Sequence, residues 1–205
     1  SNLTPPAELE DFILKGIDFL VSAQFENGGW GAGSHSNQEV RDPHAVKVDA
    51  GTTAFSLMAL LRAGNTITEG NYSDNFRKGL FYLLEEVEKS SENDSKITSV
   101  TGTQPQVKLG SNVDASMCVQ LFSRVLPYAT HDDQLHNRIT AALDKCVRKI
   151  ERSIQGDGSV AGGSWAPVLQ SGLANSALEI AYDLDRPVNE DVLKKTREYQ
   201  KSNVQ

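Results

Sequence analysis

Gln24-Phe25-Glu26-Asn27-Gly28-Gly29-Trp30-Gly31 decides the fold by its position. It closes an amphipathic helix that ends near Ala23, and a second such helix begins about twenty residues later, near Asp49. The unit of helix, Gly-rich loop and helix recurs with a period of about 60 residues. A Gln-x3-Gly-x-Trp turn between paired helices marks an architecture of stacked helical hairpins. Repeats of this length bury each unit's apolar face against its neighbours.

The first hairpin opens with a helix from about Leu9 to Ala23, whose Leu9, Phe12, Ile13, Gly16, Ile17, Leu20 and Ala23 follow the i, i+3, i+4, i+7 rhythm. Pro5 and Pro6 suit its start. Its partner runs from Asp49 to Ala63 and stops at Gly64-Asn65. The second hairpin begins at Ser73 or Asp74, either of which can cap a helix with Phe76, Leu80, Leu83, Leu84 and Val87 on one face. A polar loop from Ser90 to Ser111 leads to a helix carrying Val113, Met117, Cys118, Leu121, Phe122 and Val125, which Pro127 stops. The third hairpin begins near Asp132, turns through Gln155-Gly156-Asp157-Gly158 to Trp165, and returns on Leu169, Leu173, Ala177 and Ile180. A seventh helix spans Glu190 to Gln200. Repeats are thus expected at about 9–65, 73–128 and 132–186, with a fourth opening at 189–205. A seventh helix without a partner would expose an apolar stripe, so the natural protein is expected to continue.

The echo is literal: Lys15-Gly16-Ile17 returns as Lys78-Gly79-Leu80, and Val48-Asp49-Ala50 as Val113-Asp114-Ala115. Strand signals are nearly absent, so the chain reads as all-α.

Net charge is −7 and the pI about 5.1. That balance argues against a nucleic-acid or anionic-membrane surface, both of which want a basic face. No run of 18 apolar residues is present to span a membrane. The chain opens on Ser1-Asn2, which reads as a cloning remnant, so a removed leader is compatible with the sequence and the compartment stays open. Cys118 and Cys146 fall at apolar helix positions and read as buried thiols; a disulfide or a metal role is the lesser reading.

At Gln24-x3-Gly28-x-Trp30 the chain resembles the prenyltransferase and squalene-cyclase repeat, the QW motif of terpenoid cyclases. Squalene–hopene cyclases, oxidosqualene cyclases and protein prenyltransferase β subunits share this kind of α/α toroid. The resemblance spans nearly the whole chain as hairpins. The first turn matches closely, the second hairpin lacks the motif, and the third keeps Gln155, Gly156 and Gly158 with Trp165 displaced. It implies an α/α toroid (a partial α/α barrel) of about three hairpins plus a trailing helix. Gln24, Gly28, Trp30, Gln155, Gly158 and Trp165 are then turn residues. The Gln satisfies helix-end carbonyls, the Gly permits a φ > 0 path and the Trp covers the turn.

The resemblance also implies that the second helix of each hairpin lines the inner wall, with chemistry near its start, where backbone donors and the positive dipole end gather. Those starts carry Asp49, Asp114, Gln170 and Ser171. Cyclases that protonate an alkene use an Asp-x-Asp-Asp cluster, which this chain lacks; lone Asp49 and Asp114 read first as N-caps. Prenyltransferases hold zinc through Asp, Cys and His. Asp114 and Cys118 at i, i+4 with His35 or His44 would need two loops to converge, and the family's Asp-x-Cys pairing is absent. His35 and His44 flank the first turn and are candidate groove residues beside Asp49 and Asp114; His131 and His136 read as solvated. Asp157-Gly158 and Asn27-Gly28 read as turns, without an EF-hand register. The inner helices contribute only Phe55, Phe122 and Tyr182, and stretches such as Ser171-Gly172-Leu173-Ala174-Asn175-Ser176 suit close packing, not an aromatic cation cage.

The leading reading is a non-cyclase α/α-toroid repeat domain that binds a ligand or protein partner in its concave face, without cofactor or metal. One alternative is a terpenoid-cyclase or prenyltransferase-like enzyme with its catalytic cluster beyond Gln205. A second is a carbohydrate-active α/α-barrel enzyme using Asp49 and Asp114 as paired carboxylates. The open ends of a partial toroid also predict self-association.

Overall fold

The computed structural model describes residues 10–203. Pro5, Pro6 and Leu9 at the expected first helix start, and Val204 and Gln205 of the expected fourth turn, lie outside the described residues. Eight helices follow: α1 Asp11–Ser22, α2 Ala50–Arg62, α3 Ser73–Lys89, α4 Gln104–Leu109, α5 Val113–Val125, α6 Asp133–Ser153, α7 Pro167–Asp183 and α8 Glu190–Ser202, with short 3-10 turns at Pro43–Ala45 and Leu126–Ala129. No named strand occurs among the described residues; three isolated bridges join loops. The protein is an all-α, α/α-toroid fold.

Helices α2, α5 and α7 pack side by side as an inner layer, and α3, α6 and α8 lie against them as an outer one. Helix α5 is the centre: eleven of its thirteen residues are buried, Leu121, Phe122 and Val125 completely. Each large apolar side chain so buried contributes about 1.5–3 kcal/mol, so α5 anchors the fold. Asp49, Asp132 and Asn189 accept first-turn amides and cap α2, α6 and α8. The expected Ser73 or Asp74 cap of α3 does not form. Tyr72 holds the N-cap position without a side-chain bond, because Ser73 and Asp74 already lie inside the first turn.

The first turn joins successive hairpins. Gln24 Nε2 donates to Gly28 O (2.7 Å) and to Asn75 O in α3 (2.8 Å), and Asn75 Nδ2 donates back to Gln24 Oε1 (2.6 Å). Gln24 therefore ties the turn to the next hairpin instead of satisfying its own helix end. That task falls to Trp30 Nε1, which donates to Leu20 O (2.7 Å). Gly28 sits at φ 90°, and a Cβ there would lie 2.4 Å from Lys78 O. Only glycine both adopts that conformation without cost and lets α3 approach.

The third turn repeats this path one residue out of the expected register. Phe25 N–H donates to Gly29 O and Gly28 N–H to Phe25 O; Gln155 N–H donates to Ser159 O and Gly158 N–H to Gln155 O. Gly158 matches Gly28, with φ 86° and a Cβ that would meet Lys195 O at 2.1 Å. Gln155 thus takes the place of Phe25, not Gln24, and is exposed; Val160, 7 % exposed, takes the place of Trp30. Trp165 does not cover the turn and is 67 % exposed.

Where the second hairpin lacks the motif, Lys149 of α6 substitutes. Its buried Nζ donates to Ser91 O, Asp94 O and Lys96 O, so all three protons bind loop carbonyls. Helix α1 departs from the pattern differently. Expected core residues Phe12 and Ile13 are exposed, as are Leu14 and Phe19, and Ile17, Leu20 and Ala23 carry the contact with the core. Gly16, the echo of Gly79, would meet nothing within 4 Å of a Cβ among the described residues, whereas at Gly79 a Cβ would meet Leu57, Trp30 and Gly28. Helix α3 receives a preceding turn over that glycine; α1 receives none from the described residues.

Candidate functional site

The stretch expected as an open loop, Ser90 to Ser111, contains α4, and α4 determines the site. Thr103 caps it by accepting from Gln106 N–H (3.3 Å), and Pro105 in its first turn presets the backbone. Two other loops clamp it. His35 N–H donates to Gly102 O (3.1 Å) and Gln104 N–H to Gly33 O (3.1 Å), while Trp165 N–H donates to Val107 O (3.3 Å). Helix α4 also packs on α2, α5 and α7. It lies across the starts of the inner helices, where an open groove was expected.

Beneath α4 the two candidate carboxylates converge. Asp49 caps α2 through Thr52 N–H (2.7 Å) and also accepts from Thr52 Oγ1 (2.8 Å) and Ala32 N–H (3.3 Å). Asp114, expected to cap its own helix, lies inside the first turn of α5 and turns outward. Its Oδ2 accepts from Gln106 Nε2 (2.8 Å), while Oδ1 faces the Gly51 amide without reaching hydrogen-bond geometry. A Cβ on Gly51 would lie 2.5 Å from Asp114 Oδ1, 3.5 Å from Pro105 and 3.6 Å from Asp49 Oδ1. The two carboxylates therefore come within about 6 Å of each other across Gly51. An Asp-x-Asp-Asp cluster beginning at Asp49 would place carboxylates at 51 and 52, where Gly51 and Thr52 stand. The Asp114 side chain fills the space that Gly51 leaves.

Both carboxyls are closed to solvent, Asp49 at 0 % and Asp114 at 2 % exposure. Burial pushes Asp114 up to about 7; the Gln106 hydrogen bond opposes the rise and the Asp49 charge adds to it. Asp49 is also raised, by burial first, against the pull of its Thr52 and Ala32 bonds. Asp114 therefore changes protonation near neutral pH in a site closed to solvent.

The histidines do not join this pair. His44 Nε2 lies 2.9 Å from Ser22 O and its ring packs on Phe25, at the far end of α1. His35 meets Gln104 Oε1 (3.3 Å) and stands edge-on to Trp165, ring centres 4.6 Å apart. The Asp114–Cys118–His grouping considered for zinc therefore does not assemble. Cys118 and Cys146 are free and buried between α5 and α6, and their mutual hydrogen bond, with burial, raises the Cys118 thiol. Nor do the inner aromatics form a cage: Phe122 is fully buried in the core, and Tyr182 lies half-exposed under Arg197.

An open cleft of about 380 Å³ lies outside α4, between the segments that lead into α5 and α7. Lys96, Thr101, Gln106, Ser111, Ser164 and Trp165 line it, with Gly102, Val107 and Gly163. Ser164 Oγ is buried without a hydrogen-bond partner among the described residues. Lys108 Nζ lies 5.9 Å from the Trp165 ring centre. The motif implies a turn position for Trp165, and nothing in the sequence pattern singles out Lys96, Gln106 or Ser164. The usable signal was Thr103-Gln104-Pro105, a cap followed by a first-turn proline inside a supposed loop.

Fold and site together define a helical toroid whose inner helix starts are covered. Residues 4–112, more than half of the chain, match the squalene-hopene cyclase C-terminal domain, and the chain belongs to that family. No curated protein and no solved structure matches the chain. Among the described residues no helix is long and apolar enough to cross a membrane.

Proposed function

We propose that this terpenoid-cyclase-like toroid domain is a non-cyclase binding module, whose ligand enters the cleft between α4 and Trp165. One observation carries this reading: α4 covers the inner helix starts, so the carboxylates that would protonate a substrate are sealed, while the open cleft beside them presents the hydrogen-bonding side chains of Lys96, Thr101, Gln106, Ser111 and Ser164. A polyprenyl chain needs an apolar, aromatic-walled cavity around its cation, and the lining here offers only Val107 and Trp165 as apolar side chains. Incubation with squalene or a linear polyprenyl diphosphate should return the substrate unchanged; a cyclised product would overturn the reading.

A second reading has one observation in its favour. Asp114, raised to about 7 beside Asp49, has the acidity of a general acid poised near neutral pH. For an enzyme, α4 must move away. Turnover that disappears in Asp114→Asn while the fold is kept would support it. The close carboxylate spacing also approaches that of retaining glycosidases, but Pro105 and Gln106 occupy the ground a sugar ring needs.

A further inference from the structure

The lining of the cleft is specific about ligand chemistry, given the binding reading above on which this inference rests. Four features combine. The Trp165 indole is 67 % exposed, with the His35 ring perpendicular to it at 4.6 Å between centres and Lys108 Nζ 5.9 Å from its centre. Lys96 is the one charged lining residue, its ammonium makes no salt bridge among the described residues, and no carboxylate lines the cleft. Its backbone is fixed, because Lys96 O accepts from Lys149 Nζ (2.9 Å) and Lys96 N–H donates to Asp94 Oδ1 (2.9 Å). Thr101, Ser111 and Ser164 add hydroxyls and Gln106 adds a carboxamide, and the Ser164 hydroxyl is buried with no hydrogen-bond partner among the described residues.

An unpartnered buried hydroxyl beside an open cleft is unfavourable unless something from outside satisfies it. A flat indole takes an apolar ring face. A lysine that makes no salt bridge among the described residues, facing a cleft with no carboxylate in its lining, takes an anion even in a protein whose net charge is −7. Several hydroxyl and amide groups take a ligand with several hydroxyls of its own. The volume, about 380 Å³, lies within the usual range for small-molecule clefts of about 300–1,000 Å³.

We infer that the Trp165–Lys96 cleft binds a carboxylated sugar, its C–H face stacked on Trp165, its carboxylate on Lys96 and its hydroxyls on Ser164, Ser111 and Gln106. A hydrophobic or purely aromatic acid would leave the hydroxyl-lined wall unpaired, and a neutral sugar would leave Lys96 without a counter-charge.

The protein carries two tryptophans, buried Trp30 and exposed Trp165, so two indole N–H signals report the core and the cleft separately in a ¹H–¹⁵N spectrum. Trp165→Phe assigns them. D-Glucuronate, D-glucose, benzoate and inorganic phosphate are titrated in turn. Glucuronate should move the Trp165 signal and leave Trp30 still. Glucose should bind about threefold more weakly, and Lys96→Met should weaken glucuronate to the same extent, the loss expected for one exposed charge pair. Equal binding of glucose and glucuronate would overturn the anion assignment. Benzoate or phosphate binding tighter than glucuronate would overturn the sugar assignment while leaving a ligand cleft. If none of the four moves Trp165, both this inference and the choice of cleft fail.

Discussion

The first and third turns are built from similar letters and do different work. Both run through a positive-φ glycine onto the carbonyl of a lysine in the next outer helix, Gly28 on Lys78 and Gly158 on Lys195. In the first turn Gln24 and Trp30 are spent inside the fold. In the third, Ile154 and Val160 hold the equivalent places, Gln155 faces solvent and Trp165 is released to the cleft. The backbone path is therefore the conserved element between the two turns, while the side chains around it are free to move from packing to recognition.

Substitutions that act on one turn and spare the other break or sharpen this comparison. Trp30→Ala should cost about 3–5 kcal/mol in denaturant unfolding, the usual loss for a buried Trp, whereas Trp165→Ala should stay within about 0.5 kcal/mol, as an exposed position does. Equal losses would dissolve the distinction. Gly28→Ala and Gly158→Ala should each cost about 3 kcal/mol, from left-handed strain together with the carbonyl clash. Hydrogen exchange should localise the second effect to α8. Gln24→Ala removes three hydrogen bonds and leaves Asn75 Nδ2 without Gln24 Oε1, for a loss of about 2 kcal/mol. Gln155→Ala should be neutral within about 0.5 kcal/mol.

A pH series separates the sealed acid pair from both turns. Asp114 has a folded pKa near 7 against 3.8 unfolded, so the folded state binds the extra proton between those values. Stability is then highest at the acid end of that window and falls as pH rises from about 4 to 7, by a few kcal/mol for a shift of this size. Asp114→Asn should flatten the slope, as unfolding midpoints at pH 4.5 and 7.5 would show. An unchanged slope would mean that Asp114 is ionised or solvated in the folded protein.

Much of this was legible in the sequence because helical periodicity and the Gly-turn echo are local signals. Phe76, Leu80, Leu83, Leu84 and Val87 lie buried along α3 as their spacing implies. What failed was non-local. The apolar rhythm of α1 could not tell that Phe12 and Ile13 face outward, beside Phe19 off the stripe, because an amphipathic stripe does not name its partner. Those residues make self-association the expected behaviour at high concentration, read by sedimentation, with Phe12→Ser and Phe19→Ser shifting the protein toward monomer. Asp114 reads as a cap from its own helix alone; its role depends on Gly51, more than 60 residues earlier, and on Gln106 of a helix hidden within a polar stretch. Trp165 carried the right letter for the turn motif in the wrong register, and only the hydrogen bonds of Gln155 and Gly158 fix that register.

The sealing of Asp49 and Asp114 depends on α4 as a closed cover, and amide hydrogen exchange in α4 tests it directly. The Val107 and Gly110 amides, bonded to Thr103 O and Gln106 O, and the Trp165 amide on Val107 O should exchange far more slowly than the exposed loop around Asn37. Protection comparable to the inner helices would keep Asp49 and Asp114 sealed and the ligand site outside α4. Exchange as fast as the loop would mean that α4 opens readily, and the buried acid pair would become the working active site.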